Sequence, residues 1–237
     1  MDKKRVNFIE IIILSGIILV LSMWSYSRNK IWNSDIDLWK DCVQKSPHKP
    51  RPHENLGVAY EKVGEYEKAL KSVEKAIQIN PRYANAYYNY GLIVHKLGET
   101  DKAILMIKKS LEMDPHLVLA YYSLGGIYFG KGRYEESVEA LNNFLKIYPN
   151  FPEAHHSLAM AYAPQRQFDK AVEEFEREIR INPYHTLAHL NLGQIYWYEF
   201  QKKEKALYHL KAALALDPFL PNRGGIQNLV RQLERIL

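Results

Sequence analysis

The sequence predicts an all-α chain: a row of antiparallel helix pairs preceded by one helix long and apolar enough to cross a membrane. Three observations carry that expectation. Small residues recur every 34 positions at Gly57, Gly91, Gly125, Ala159 and Gly193. Prolines keep the same step at Pro47, Pro81, Pro115, Pro149 and Pro183. Near the N-terminus, Val6 to Trp24 forms a predominantly apolar run. A further series, Ala69, Ala103, Ser137 and Ala171, stays in phase with the first two. A fixed period of this length marks stacked units, each burying its apolar face on the next.

The apolar run comes first in the chain. At 1.5 Å per residue it reaches roughly 28 Å, about the thickness of a hydrocarbon core. Glu10 lies near its first end, and Trp24 with Tyr26 fits an interfacial aromatic anchor at the other. An uncleaved signal anchor is the preferred reading. A cleaved signal peptide competes, although Ser25-Tyr26-Ser27 is a poor cleavage site. A buried soluble helix would carry a polar stripe, which this run lacks. Lys3, Lys4 and Arg5 precede the run, while Arg28 and Lys30 follow it. That imbalance favours a cytoplasmic N-terminus and a periplasmic or otherwise extracytoplasmic repeat domain.

Asp35 to Pro47 reads as the second half of a unit, with Trp39 in a large-residue position and Cys42 in a small one. The repeats follow. Leu56-Gly57, Tyr60, Ala69, Ala76 and Pro81 mark the first, and Tyr121, Leu124-Gly125, Tyr128, Ser137 and Pro149 the third. The fifth runs Leu192-Gly193 and Tyr196, then Ala206, Ala213 and Pro218, all three displaced by one. The extra residue falls around Glu199 to Lys202, as a lengthened turn or a local bulge. Gly64, Gly98 and Gly132 let the chain reverse between paired helices, and the prolines end the second helix of each pair. Repeat four departs with Ala159 for Gly, Arg166 for the turn Gly, and Glu178 where a small residue is expected. Ile226, Leu229, Val230, Leu233, Ile236 and Leu237 recur at helical spacing opposite Arg231, Gln232, Glu234 and Arg235, as expected of a solvating end cap.

These residues resemble the tetratricopeptide repeat (TPR) over about residues 50 to 220. The resemblance implies a right-handed TPR α-solenoid of antiparallel helix pairs. Its parts would be an anchor with basic flanks over 1–30, a linker and half repeat over 31–49, five repeats over 50–220 and a capping helix over 221–237. In this family, positions two, five, six, nine and twelve of each repeat face the concave groove. The sixth position is Asn55, Asn89, Ser123, Ser157 and Asn191, which resembles the asparagine ladder of the O-linked N-acetylglucosamine transferase solenoid. A carboxamide offers a peptide backbone both a donor and an acceptor. The alternative is that these asparagines bridge neighbouring repeats. Tyr88, Tyr122, His156, Phe129 and Trp197, at fifth and twelfth positions, would add an aromatic wall for the same extended peptide or protein partner. A looser similarity, from Arg28 through Trp32, Leu38-Trp39, Ser46-Pro47 and Arg51 to Asn55-Leu56-Gly57, is to the join between membrane and repeat regions of transmembrane-and-TPR mannosyltransferase-like proteins. It implies an accessory role beside a membrane glycosyltransferase.

Other classes find less support. The net charge is +5, and from Ser34 onward both signs are interspersed, so a nucleic-acid partner is not expected. One cysteine excludes an intramolecular disulfide and a cysteine-type zinc site. His185 and His189 sit four apart and His155-His156 are adjacent, but no carboxylate cluster completes a metal site; packing explains them better. No phosphate loop or nucleophile elbow is present, so no catalytic residue, cofactor or small-molecule substrate is expected. The expected function is a membrane-tethered scaffold that assembles or stabilises a complex.

Overall fold

A computed structural model describes residues 8–30 and 34–237. The basic residues Lys3, Lys4 and Arg5, and Trp32, lie outside them. Among the described residues there are thirteen α-helices and no strand, and the fold is an all-α solenoid. The chain divides into two compact units, Met1–Asp114 and Pro115–Leu237. The division falls at the junction between the second and third repeats, which the 34-residue register does not single out.

In the first unit, α1 (Phe8–Lys30) contains the apolar window Glu10–Ser27, none of it buried, with a mean hydropathy of 1.7. Ser15 returns its hydroxyl to the carbonyls of Ile11 and Ile12, at 2.8 and 3.0 Å, so its polar group is satisfied within the helix. Helix α2 (Asp35–Lys45) is capped by Ser34, which accepts from the Asp37 N–H. It packs on α3 (Pro50–Lys62), whose partner is α4 (Tyr66–Ile79); α5 (Ala84–Lys96) pairs with α6 (Thr100–Met113). Cys42 is half-buried and free. In the second unit, the pairs are α7 (Val118–Gly130) with α8 (Tyr134–Leu145), α9 (Ala154–Tyr162) with α10 (Phe168–Ile181), and α11 (Thr186–Tyr198) with α12 (Lys203–Leu216). Helix α13 (Arg223–Ile236) covers the last pair by burying Ile226, Val230 and Leu233.

Close approach within each pair explains the glycine series. A Cβ on Gly57 would stand 2.4 Å from Val73 Cγ2, and one on Gly91 2.5 Å from Ile107 Cγ1. Where repeat four has Ala159, the facing core residue is Phe175, and both are fully buried in one cluster. The turn residues Gly64, Gly98 and Gly132 have φ of 78°, 88° and 72°. Arg166 (φ 58°) takes the same left-handed conformation one period on, and Gln201 (φ 56°) does so one period plus one residue later. The fifth repeat therefore absorbs its extra residue as a longer turn between α11 and α12.

The tyrosine surplus also acquires a physical role. Lys68 lies over Tyr60, Lys170 over Tyr162 and Lys205 over Tyr196, at 5.7, 5.3 and 5.0 Å. In each, a lysine from the second helix meets an aromatic face of the first. In repeat three that lysine is replaced by Glu136, and Arg133 covers Tyr128 instead while pairing with Glu136.

Repeat four is irregular. Helix α9 begins two residues late, after Phe151-Pro152-Glu153, and ends in a short 3₁₀ turn, Ala163–Gln165, that contains Pro164. Glu153, its N-cap, has φ of 68°. Fully buried Glu178 accepts the N–H of Glu153 at 3.0 Å and that of His156 at 3.3 Å. A carboxylate brought from α10 thus satisfies two N–H groups at the exposed end of α9 and sits at the favourable pole of its dipole. That is the physical reason for an acid where a small residue was expected.

Candidate functional site

The ladder residues are placed by the first helices of the pairs. Asn55 is half-buried on α3 and makes no side-chain hydrogen bond among the described residues. Asn89, on α5, donates to Glu54 Oε1 on α3. Asn191, on α11, donates from Nδ2 to His156 Nε2 on α9 at 3.3 Å, and the same nitrogen reaches Met160 Sδ at 3.2 Å. Both bridges join a fifth position to the sixth position of the following repeat, 35 residues on. The bridging role weighed for these asparagines is present at both. It leaves both carboxamide oxygens, and one N–H of Asn89, for another partner.

The two bridged asparagines each follow an acceptor at the fifth position. Glu54 and His156 are acceptors, and the residues 35 later are Asn89 and Asn191. Tyr88 and Tyr122 are followed at that distance by Ser123 and Ser157. Tyr122 packs its ring on Phe144 and Phe151, with centroids 5.0 and 5.7 Å apart, and Ser157 turns back to the carbonyl of Glu153 at 2.9 Å. At Ser157 the ladder position therefore bonds within its own helix instead of bridging to the preceding repeat.

In the second unit α7 and α9, with Ser137 and Leu141 of α8 beneath, enclose a small pit of about 220 Å³ with little polar surface. Phe129, His156 and Met160 form its wall, with Gly126 and Ser157 at its edge. Of the predicted aromatic residues, Phe129 and His156 reach it. Tyr122 belongs to the aromatic cluster instead. Trp197 is half-buried against the core of the last pairs and meets Tyr198. Tyr88 lies half-buried on α5 in the first unit. The predicted residues thus do not form one continuous wall.

His156 is stacked on His185 at 4.7 Å, and burial, then the charge of His185, pushes it down to about 4. It is neutral near pH 7, with Nε2 accepting and the proton on Nδ1. In the first unit, buried Glu54 accepts from Tyr83 Oη at 3.1 Å as well as from Asn89, and burial raises its pKa despite those donors. Each unit thus presents an acceptor held in place from beneath, beside a carboxamide.

A second set of residues escaped the sequence reading. His53, His155 and His189 each donate Nε2–H to the carbonyl of the proline six residues earlier: Pro47 at 2.9 Å, Pro149 at 2.7 Å and Pro183 at 3.2 Å. The spacing Pro-x₅-His occurs three times and could have been read as a latch at the repeat junction. His155 also places Nδ1 2.6 Å from Glu174 Oε2. Both its nitrogens face acceptors, and the hydrogen bond to Glu174 is the largest cause raising its pKa above the usual histidine value, which favours the imidazolium. Among the described residues, no group of three His, Cys, Asp or Glu side chains could hold a metal.

Known proteins agree with the geometry. A family model described as TPR repeat matches residues 62–98 and 125–166, and two described as tetratricopeptide repeat match 156–221 and 84–117. Helix pairs closed by Gly-mediated contact, repeated in register, define a repeat scaffold, and this chain belongs to the tetratricopeptide-repeat proteins. No curated protein matches it. Among solved structures, it is similar to YrrB, described as a TPR protein with an unusual peptide-binding site. That match has a TM-score of 0.70 and 23% identity over 80% of this chain and 97% of that one. MamA from Desulfovibrio magneticus RS-1 aligns with a TM-score of 0.66 and 20% identity over 73% and 97%. Another crystal structure of MamA gives 0.64 and 24% over 68% and 94%. At these identities the likeness is one of fold.

Proposed function

We propose that this chain is a membrane-tethered scaffold that holds extended peptide segments of partner proteins on the first-helix faces of its repeats. The observation that carries this reading is the pit between α7 and α9. It is lined at family groove positions by Phe129, His156 and Met160, with the Asn191 carboxamide bonded to two of its walls. An apolar partner side chain would enter the pit while its backbone meets the free oxygen of Asn191. Asn55, Asn89 and Tyr88 would serve the first unit in the same way. The peptide-binding site of YrrB, a protein of similar fold, supports this use of the repeats.

Helix α1 would be the tether. Residues 1–30 would act as the anchor, 31–49 as linker and half repeat, 50–220 as the five repeats, and 221–237 as the cap. The repeats would lie outside the cytoplasm, in the periplasm, where they would assemble or stabilise a membrane-associated complex.

A photo-crosslinking residue placed at Ser157 should capture a discrete partner in native membranes, whereas one at exposed Tyr208, on α12, should not. Equal capture at both positions, or none at Ser157, would refute binding at the pit. A reporter fused after Leu237 should be active outside the cytoplasm; activity only inside would reverse the proposed topology.

A further inference from the structure

Helices α8, α9 and α10 of the second unit enclose a larger cavity of about 650 Å³, and no residue lines both it and the pit. Its walls carry Arg177, Arg180, Asn142 and Asn150; His155 and Glu174 lie at its back, and Leu145, Leu158 and Ile181 form the apolar part. The volume falls in the range of cavities that bury a small molecule.

The charges in the cavity are not balanced. His155 and Glu174 are buried, at 5% and 7% exposure, and compensate each other through their 2.6 Å contact. Arg177 bridges Glu173 and Glu174, at 2.5 and 3.2 Å. Arg180 is exposed at the rim and has no ion pair among the described residues. Asn142 likewise has no side-chain partner there. A guanidinium with all its donors free, a second fixed in place by carboxylates, and two carboxamides converge above an apolar floor.

We propose that this cavity binds a small amphiphilic oxyanion: a phosphate or carboxylate head held by Arg180 and Arg177, with an apolar body against Leu158 and Ile181. Arg180 supplies the forked donor pair that oxyanions select. Glu174 has a positioning role, fixing both His155 and Arg177. Apolar floor and cationic rim together favour a head attached to a hydrocarbon over a bare ion. Such a head could belong to a free metabolite or to a lipid in a bilayer.

Isothermal titration of the full chain in neutral detergent with hexyl phosphate, at constant ionic strength, tests the site. In the second arm the chain is anchored through α1 in phosphatidylcholine nanodiscs with or without phosphatidic acid, and protection of the cavity amides from hydrogen exchange reports engagement of that lipid. Saturable binding of hexyl phosphate is expected, weakened about tenfold or more in Arg180→Gln, the loss of one charge-assisted contact. Arg231→Gln, an exposed arginine on α13, should leave binding unchanged. Hexyl phosphate binding without protection by phosphatidic acid assigns a free ligand; protection by phosphatidic acid, with or without hexyl phosphate binding, assigns a lipid headgroup; either signal is lost in Arg180→Gln. No binding of either probe, or equal binding by wild type and Arg180→Gln, would overturn the site. Circular dichroism melting of Arg180→Gln checks that the fold is intact, and this exposed side chain is not expected to alter it.

Discussion

At the residue scale, Glu178 ties the irregular fourth repeat together. It is fully buried, yet both its oxygens are used at the start of α9. Glu178→Ala should lower unfolding stability by about 1–3 kcal/mol in urea titration, because two N–H groups lose their acceptor. Glu178→Gln, which keeps one acceptor, should cost less. Gly91 offers a contrasting case. Gly91→Ala would drive a methyl to within 2.5 Å of Ile107 Cγ1 and 3.0 Å of the Ala103 carbonyl oxygen, one of which is rigid backbone. A loss of about 1–3 kcal/mol is expected from overpacking. If Gly91→Ala unfolded at the wild-type urea midpoint, the close-approach account of the glycine series would fail.

At the scale of elements, the turn within each pair requires a left-handed residue, and repeats four and five fill it with Arg166 and Gln201. Exposed Arg166→Gly should therefore raise the melting temperature, with a gain of about 1 kcal/mol from relief of backbone strain. The sequence disclosed these elements well. Gly, Pro and Ala sit where helices touch, turn and stop, and those needs repeat with the unit, so the period exposes them. The extra residue near Gln201 was equally visible, because it displaces Ala206, Ala213 and Pro218 together. The site was less legible. Glu178 stood out as a misfit, but what it caps depends on the late start of α9 after Pro152, a three-dimensional consequence. The bridges from Glu54 to Asn89 and from His156 to Asn191 couple neighbouring repeats, whereas a reading by repeat position compares like with like. Tyr122 and Trp197 shared a register with Phe129, but neighbours such as Phe144 and Phe151, outside that register, decide which aromatic ring stays available.

At the scale of the whole molecule, acid sensitivity should concentrate in the second unit. His156 and His209 are each pushed down to about 4, chiefly by burial. His189 donates Nε2–H to Pro183, so its Nδ1, 3.0 Å from His209 Nδ1, must accept. The unfolded chain takes up protons on these histidines near pH 6.5 while the folded unit resists. Their stabilisation is complete above about pH 6.5 and falls toward pH 4, by up to about 1.4 kcal/mol per pH unit for each. His155 opposes this: its raised pKa adds stability below about pH 6.5 and loses it as pH rises through the folded value. Burial lowers His189 as well, so three groups oppose one; the urea midpoint should drop between about pH 7 and pH 5, and a His156→Gln/His209→Gln variant should show a shallower drop.

The 35-residue pairing of fifth and sixth positions has a consequence for how such a chain can change. Repeats one and four are not interchangeable cassettes, because the polar group of each is met by an asparagine belonging to the next. Transplanting repeat four without Asn191 would strand the acceptor of His156; transplanting repeat five alone would bring a donor with nothing to meet. New binding preferences would have to arise by paired changes across a junction, and the natural unit of exchange straddles two repeats.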